Sequence, residues 1–288
     1  MKLGLFAINY GTCADPEAAI AVARHAEDVG FESVWTGEHV VLPTGANLPF
    51  EPRLPFLDTT VALTLVAAHT TTLKVGSGII VLPLRNPIVL AKELASIDVI
   101  SGGRLIVGVA AGYVRQEFAA CGVPLGERQA RTDEYLRAMR ALWSEEQPEF
   151  AGRFVSFAGI EAYPRPVQRP APHVVVGGEG PLALTRAATM ANGWYGFSLD
   201  LAETRELVGR LRRIEREGGR PVELGPVEVT ITPSGPLDRR RVDEYEALGV
   251  DRLVLLPQPD ADRADRHRPV PLDKILRNLD HAAGEFLR

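Results

Sequence analysis

Four short stretches of this chain offer groups that chemistry could use. The first is Glu38-His39. An imidazole titrates near neutrality and so takes or gives a proton under ordinary conditions, and an adjacent carboxylate can assist it. The plainer reading of the pair is that it bonds neighbouring strands. The second is Gly177-Gly178-Glu179-Gly180, directly ahead of a segment that opens with Pro181. Glycines let backbone N–H groups close on an anion, and a helix amino end favours negative charge, so this turn suits a phosphate. Its alternative is a tight strand-to-helix turn. The third, Gly76-Ser77-Gly78-Ile79, sets two glycines inside an otherwise apolar run. Glycine in a buried strand marks a bulge or a close approach to the backbone, and a flat ring lying there would need that lack of side chains. The fourth is Gly112-Tyr113, whose phenol can donate a hydrogen bond or a proton, or simply wall a pocket.

The elements that must position these residues follow from periodicity. Val75 to Val81 and Arg104 to Val109 read as parallel strands buried on both faces, with a helix between them. Asn86-Pro87 opens that helix, Leu90, Leu94 and Ile97 give it a buried side, and Ser101-Gly102-Gly103 ends it. Further strands are expected at Leu3–Ile8, Glu32–Thr36, His173–Val176, Gly193–Phe197, Val227–Ile231 and Arg252–Leu256. Asp15-Pro16 starts the first helix, and others are expected over 57–70, 128–143, 181–191, 201–216 and 239–248. Tyr113 to Arg128 reads as a loop. A last helix would turn Ile275, Leu276, Leu279, Ala283 and Phe286 to one side, and 153–157 alternates like an exposed ribbon.

Eight strands, each followed by a helix, predict an α/β chain folded as a (β/α)8 TIM barrel: one domain over 1–288 with a short antiparallel ribbon insertion. A doubly wound open sheet is the alternative. In a barrel the site lies at the carboxyl ends of the strands. That gathers Asn9, Glu38, His39, Ser77 to Val81, Gly112, Tyr113, Gly177 to Gly180, Phe197 and Ser198. The connections 40–56 and 258–271 would overhang the mouth as lids.

Several chemistries are disfavoured. His25, His69 and His281 fall inside helices and His173 starts a strand, so no cluster of ligands forms with His39 and no metal site is expected. Neither a dinucleotide fingerprint nor a Walker sequence occurs. Lys74 and Lys92, at a strand start and inside a helix, are poorly placed for a Schiff base. The 288 residues carry a formal charge of -5, 45% hydrophobic and 24% charged side chains, with Lys and Arg scattered, which argues against nucleic acid as a partner. No long apolar run suggests a membrane span, and no signal peptide is visible. Cys13 and Cys121 lie far apart, and a cytoplasmic setting is expected.

Taken in order, several segments resemble the luciferase-like monooxygenase superfamily, whose barrels bind FMN or the deazaflavin F420. They are GFESVWTGEH (30–39), VGSGIIVLPLRNP (75–87), SGGRLIVGVAAGY (101–113), the RTDEYLRAMRALW helix, the GRFVSF ribbon and VVVGGEGPLALTRAA (174–188) with Asn192-Gly193-Trp194. The likeness spans nearly the whole chain and is nearest to compact F420-dependent oxidoreductases. It implies a non-prolyl cis peptide at Gly78–Ile79, forming with Ser77 a bulge behind the ring. It implies a phosphate held by Gly177, Gly178, Glu179 and Gly180, with Gln116 near the same tail and Phe197 in the cofactor pocket. Glu38 and His39 match the acidic–His pair beside the reactive face, His39 shuttling a proton as hydride moves. Tyr113 stands where sugar-phosphate dehydrogenases of the group carry an acidic glutamate, and Ser198 where they carry a basic residue, so a sugar phosphate is a poor candidate substrate. The resemblance thus implies coenzyme F420, with FMN the alternative, a small organic substrate and a homodimer. An FMN-dependent monooxygenase, a non-catalytic flavin-binding homologue and a cofactor-free lyase or isomerase are the competing functions.

Overall fold

The computed structural model describes residues 1–44, 51–258 and 269–287. Along the chain run β1 (Lys2–Leu5), α1 (Pro16–Asp28), β2 (Ser33–Thr36), α2 (Thr59–His69), β3 (Lys74–Ser77), β4 (Ile80–Val81), α3 (Pro87–Ser101) and β5 (Leu105–Ala110). Then come α4 (Arg115–Ala120), α5 (Arg128–Ser144), β6 (Phe150–Ala151), β7 (Ser156–Phe157), β8 (His173–Gly177), α6 (Pro181–Met190) and β9 (Gly193–Leu199). The chain finishes with α7 (Leu201–Glu217), β10 (Glu228–Pro233), α8 (Arg239–Ala247), β11 (Arg252–Leu255) and α9 (Leu272–Phe286). The order β3-β2-β1-β11-β10-β9-β8-β5 is closed by a β3–β5 pairing, and every neighbour is parallel. This is a (β/α)8 barrel, not an open sheet. Strands β6 and β7 pair antiparallel as the ribbon, in the register Phe150↔Phe157.

The helices start where the sequence indicates. Asp15, Asn86 and Asp200 each accept a hydrogen bond from a first-turn N–H, and Pro16 and Pro87 occupy the first helical position. Gly102, with φ +65°, ends α3 in the left-handed region. Strand residues alternate between two apolar layers, as a period of two requires. Leu253 and Leu255 join the layer beneath the helices, whereas Val254 joins Trp35, Ile106, Val175 and Tyr195 in the barrel interior.

Three expectations need correcting. The run Val75 to Val81 is not one strand: it breaks at a cis Gly78–Ile79 peptide into β3 and β4, both of which pair with β5. Tyr113 to Arg128 is not a loop throughout, because α4 occupies part of it. That helix has only six residues and no side-chain cap, too little for periodicity to detect. On α9, Ala282 is fully buried beside Ile275, Leu279 and Phe286, while Leu276 and Ala283 sit at the edge of the face.

Charged side chains close the amino end of the barrel. Arg252, with 1% of its side chain exposed, bonds Glu32 at 2.7 and 2.9 Å and Glu228 at 2.5 Å. Lys74 and Lys2 supply the outer partners of the same two glutamates. His173 lies at this end, away from the opposite mouth.

Candidate active site

At the carboxyl ends of the strands opens a cavity of about 440 Å³. Phe6 and Tyr10 reach it from β1, Gly37, Glu38 and His39 from β2, Gly78, Ile79 and Val81 from the broken third strand. Gly112, Tyr113 and Val114 follow β5, Gly178 and Glu179 follow β8, and β9 supplies Tyr195, Phe197 and Ser198. Each side chain arrives there because its strand ends there.

Six Phe and Tyr side chains contribute to the wall: Phe6, Tyr10, Phe56, Tyr113, Tyr195 and Phe197. Tyr10 stacks on Phe56 with ring centres 4.5 Å apart, and Phe6 lies 5.0 Å from Phe197. The segment carrying Phe56 is tied down by Gly11 N–H to Pro55 and Leu57 N–H to Asn9. Asn9 itself is fully buried and does not line the cavity. Its Nδ2 donates to the carbonyls of Gly37 and Leu57 at 2.9 and 2.8 Å, and its Oδ1 accepts from Gly37 N–H at 2.8 Å. It therefore fixes the backbone immediately before Glu38-His39.

Glu38 and His39 are chain neighbours with separate partners. The Glu38 carboxylate accepts from Val81 N–H and from Arg85. Arg85 also reaches Asp58 at 2.7 Å, and Asp58 caps α2. Burial pushes the Glu38 carboxyl up, against the opposing pull of Arg85. Burial alone would lower Arg85, but its two carboxylates outweigh that and hold it cationic. Glu38 thus does what the plainer reading allows, bonding β2 to β4, while still lining the cavity.

His39 is oriented by a residue that sequence reasoning missed. Its Nδ1 lies 3.4 Å from Oε2 of Glu117 on α4, and Oε1 of the same carboxylate accepts from Val40 N–H at 2.6 Å. Phe56 and Tyr113 meet the His39 ring edge-on at 5.9 and 6.4 Å. Tyr113 is 65% exposed and stands at the rim. Glu117 and Arg85 carried no spacing signal, since each is defined by a partner more than 40 residues away.

The glycines divide into two kinds. A Cβ at Gly76 would come within 2.7 Å of the Trp35 indole, so this glycine makes room for a core side chain and not for a ligand. Gly78 does face the cavity, with Thr36, Tyr195 and Phe6 closely packed about it. Ser77 is fully buried, its hydroxyl exchanging hydrogen bonds with the Gly108 backbone, and Gly177 lies against Ile79; neither lines the cavity. Gly180 caps α6 from an exposed position with open space around it, and Gln116 is exposed on α4, outside the lining. Of the residues expected to hold a cofactor, the fold therefore brings Gly78, Ile79, Gly178, Glu179 and Phe197 together with His39, Glu38 and Tyr113.

Residues 45–50 and 259–268, the greater part of what was expected to form lids, lie outside the described residues. Among the described residues no group of three or more His, Cys, Asp or Glu side chains could hold a metal ion, and no helix is long and apolar enough to cross a membrane.

The sequence model of the luciferase-like monooxygenases matches residues 1–251. The chain is 36% identical over 256 residues to the uncharacterized protein Rv0953c of Mycobacterium tuberculosis, covering 85% of this chain and 89% of that one. It is 30% identical over 207 residues to an FMNH(2)-dependent dimethylsulfone monooxygenase of Pseudomonas putida, covering 71% of this chain and 55% of the relative. Among solved structures, the coenzyme F420 dependent tetrahydromethanopterin reductase of Methanopyrus kandleri has the same fold. Its TM-score is 0.75 at 17% identity, with 100% of this chain and 98% of that one covered.

Proposed function

Because the chain belongs to the luciferase-like monooxygenase family, we propose that it is an F420-dependent oxidoreductase moving a hydride between coenzyme F420 and a small organic substrate. The observation that carries the reading is His39: a carboxylate-backed imidazole at the wall of a cavity that Gly78, Ile79 and several aromatic rings also line. The residues present fit a flat ring with a phosphate tail. The cavity falls within the usual range of ligand pockets, roughly 300–1,000 Å³. Gly78 adds no side chain to its wall, and the amino end of α6 has no side-chain cap of its own. Gly78, Ile79 and Phe197 would bound the ring, and the backbone from Gly177 to Gly180 would hold the phosphate. When bound, the deazaflavin supplies the carbon that gives or takes hydride.

The rest is work for the chain. His39 gives or takes the accompanying proton, the aromatic wall excludes water, and Tyr113 bounds the substrate at the rim. Glu38 holds the chain just beyond β2 against β4, so that its neighbour His39 is kept at the cavity wall. We take residues 1–288 as one domain that works as a homodimer in the cytoplasm.

The second reading, an FMN-dependent monooxygenase, is favoured by the 30% identity to an FMNH(2)-dependent relative. Parallel fluorescence titrations of the purified protein with F420 and FMN separate the two. Micromolar or tighter binding of F420 is expected; binding of FMN alone reverses the order, and binding of neither removes the redox assignment.

A further inference from the structure

We propose that Glu117 is a positioning residue that fixes His39 as its Nδ1–H tautomer, so that a proton passing to or from the ring does so at Nε2. The proposal rests on the reading of His39 as the proton-handling group. It adds which atom acts and what makes that atom act.

The argument is one of hydrogen-bond polarity. An ionised carboxylate only accepts, so a ring nitrogen bonded to it must carry the hydrogen. Oε2 of Glu117 stands 3.4 Å from Nδ1, and Oε1 accepts from Val40 N–H at 2.6 Å. One side chain thus grips two consecutive residues beyond β2, the ring of one and the backbone of the next. The carboxylate cannot turn away from the imidazole without giving up the shorter bond. Burial sharpens this: 1% of the Glu117 side chain and 8% of the His39 side chain are exposed, so water competes poorly for either group.

Glu38, the adjacent carboxylate, is committed to Val81 N–H and Arg85. Phe56 and Tyr113 present ring edges at 5.9 and 6.4 Å. With Nδ1–H directed at Glu117, Nε2 carries the lone pair and serves as the base. Once it is protonated, the same carboxylate stabilises the imidazolium.

Substituting Glu117→Gln reverses the polarity with little change of shape. The Gln carbonyl can still accept from Val40 N–H, but its NH2 then donates toward Nδ1, which requires the Nε2–H tautomer. Long-range proton–nitrogen NMR of the 15N-histidine-labelled, cofactor-free protein reads this directly. At pH 8 an ordinary imidazole is neutral, and a His39→Asn sample assigns the signal. The wild type is expected as Nδ1–H and Glu117→Gln as Nε2–H. Glu117→Asp keeps an acceptor-only carboxylate and is expected to retain Nδ1–H, which covers the case in which the Gln variant does not fold. A wild-type His39 in the Nε2–H form, or a tautomer unmoved by Glu117→Gln, overturns the proposal. Failure of F420 and FMN to bind would sink the redox reading but leave this tautomer untouched, so the two failures are distinguishable.

Discussion

Lowering the pH from 7 to 5 is expected to weaken this fold through His173 at the amino end of the barrel. Its Nε2 is buried without a hydrogen-bond partner, and Glu228 lies 3.7 Å away, beyond bonding range. Burial pushes its pKa down, helped by Arg252, Lys74 and Lys2 and opposed by Glu228, from 6.5 to about 4. The unfolded chain takes up a proton near 6.5, whereas the folded one does not until about 4. Stability is therefore complete above the unfolded value and falls as the pH drops through that window. A fully shielded histidine with this gap would lose about 2 kcal/mol between pH 7 and 5. Because 31% of the side chain reaches solvent, about 1 kcal/mol is the working figure. Glu32 and Glu228 act lower down. Burial alone would raise them, but Arg252 and the neighbouring cations hold both near 2, so their contribution is lost only below about 4.5. Urea unfolding followed by circular dichroism, at pH 7 and pH 5, measures the effect. With a slope of roughly 3 kcal/mol per molar, the wild-type midpoint should drop by about 0.3 M. His173→Gln removes the titrating group and should abolish most of that drop. An equal drop in wild type and variant refutes the reasoning.

Two further substitutions test what holds the site. Asn9→Asp would turn an acceptor oxygen toward the Gly37 and Leu57 carbonyls that Nδ2 now serves, and should cost about 3 kcal/mol in urea unfolding; a change under 1 kcal/mol would contradict the clamp. Gly108→Ala would set a Cβ within 1.8 Å of the Ser77 carbonyl and 2.8 Å of Ile79, prising β5 from the third strand beside the cavity. A loss above about 3 kcal/mol is expected, whereas Gly126→Ala, which meets open space at an ordinary φ, should be neutral or gain up to about 1 kcal/mol.

Much of this protein was legible in one dimension, because the relevant physics is local. The alternation of strands and helices, Asp15-Pro16 and Asn86-Pro87 as helix starts, and Gly102-Gly103 as a stop all depend on groups within a few residues of one another. So does the placing of His39 at a strand's carboxyl end. What the sequence could not decide is which groups meet across the barrel. Glu38 stands beside His39 in the chain yet bonds Val81 and Arg85, while the carboxylate that reaches the imidazole comes from Glu117, 78 residues on. Gly76 and Gly78 look alike in a string of letters, but one makes room for Trp35 and the other faces the cavity. Alternation cannot separate them, since residues two apart in a strand share a face; what differs is that Gly76 lies within β3 against Trp35, whereas Gly78 lies just past the end of β3, at the barrel mouth.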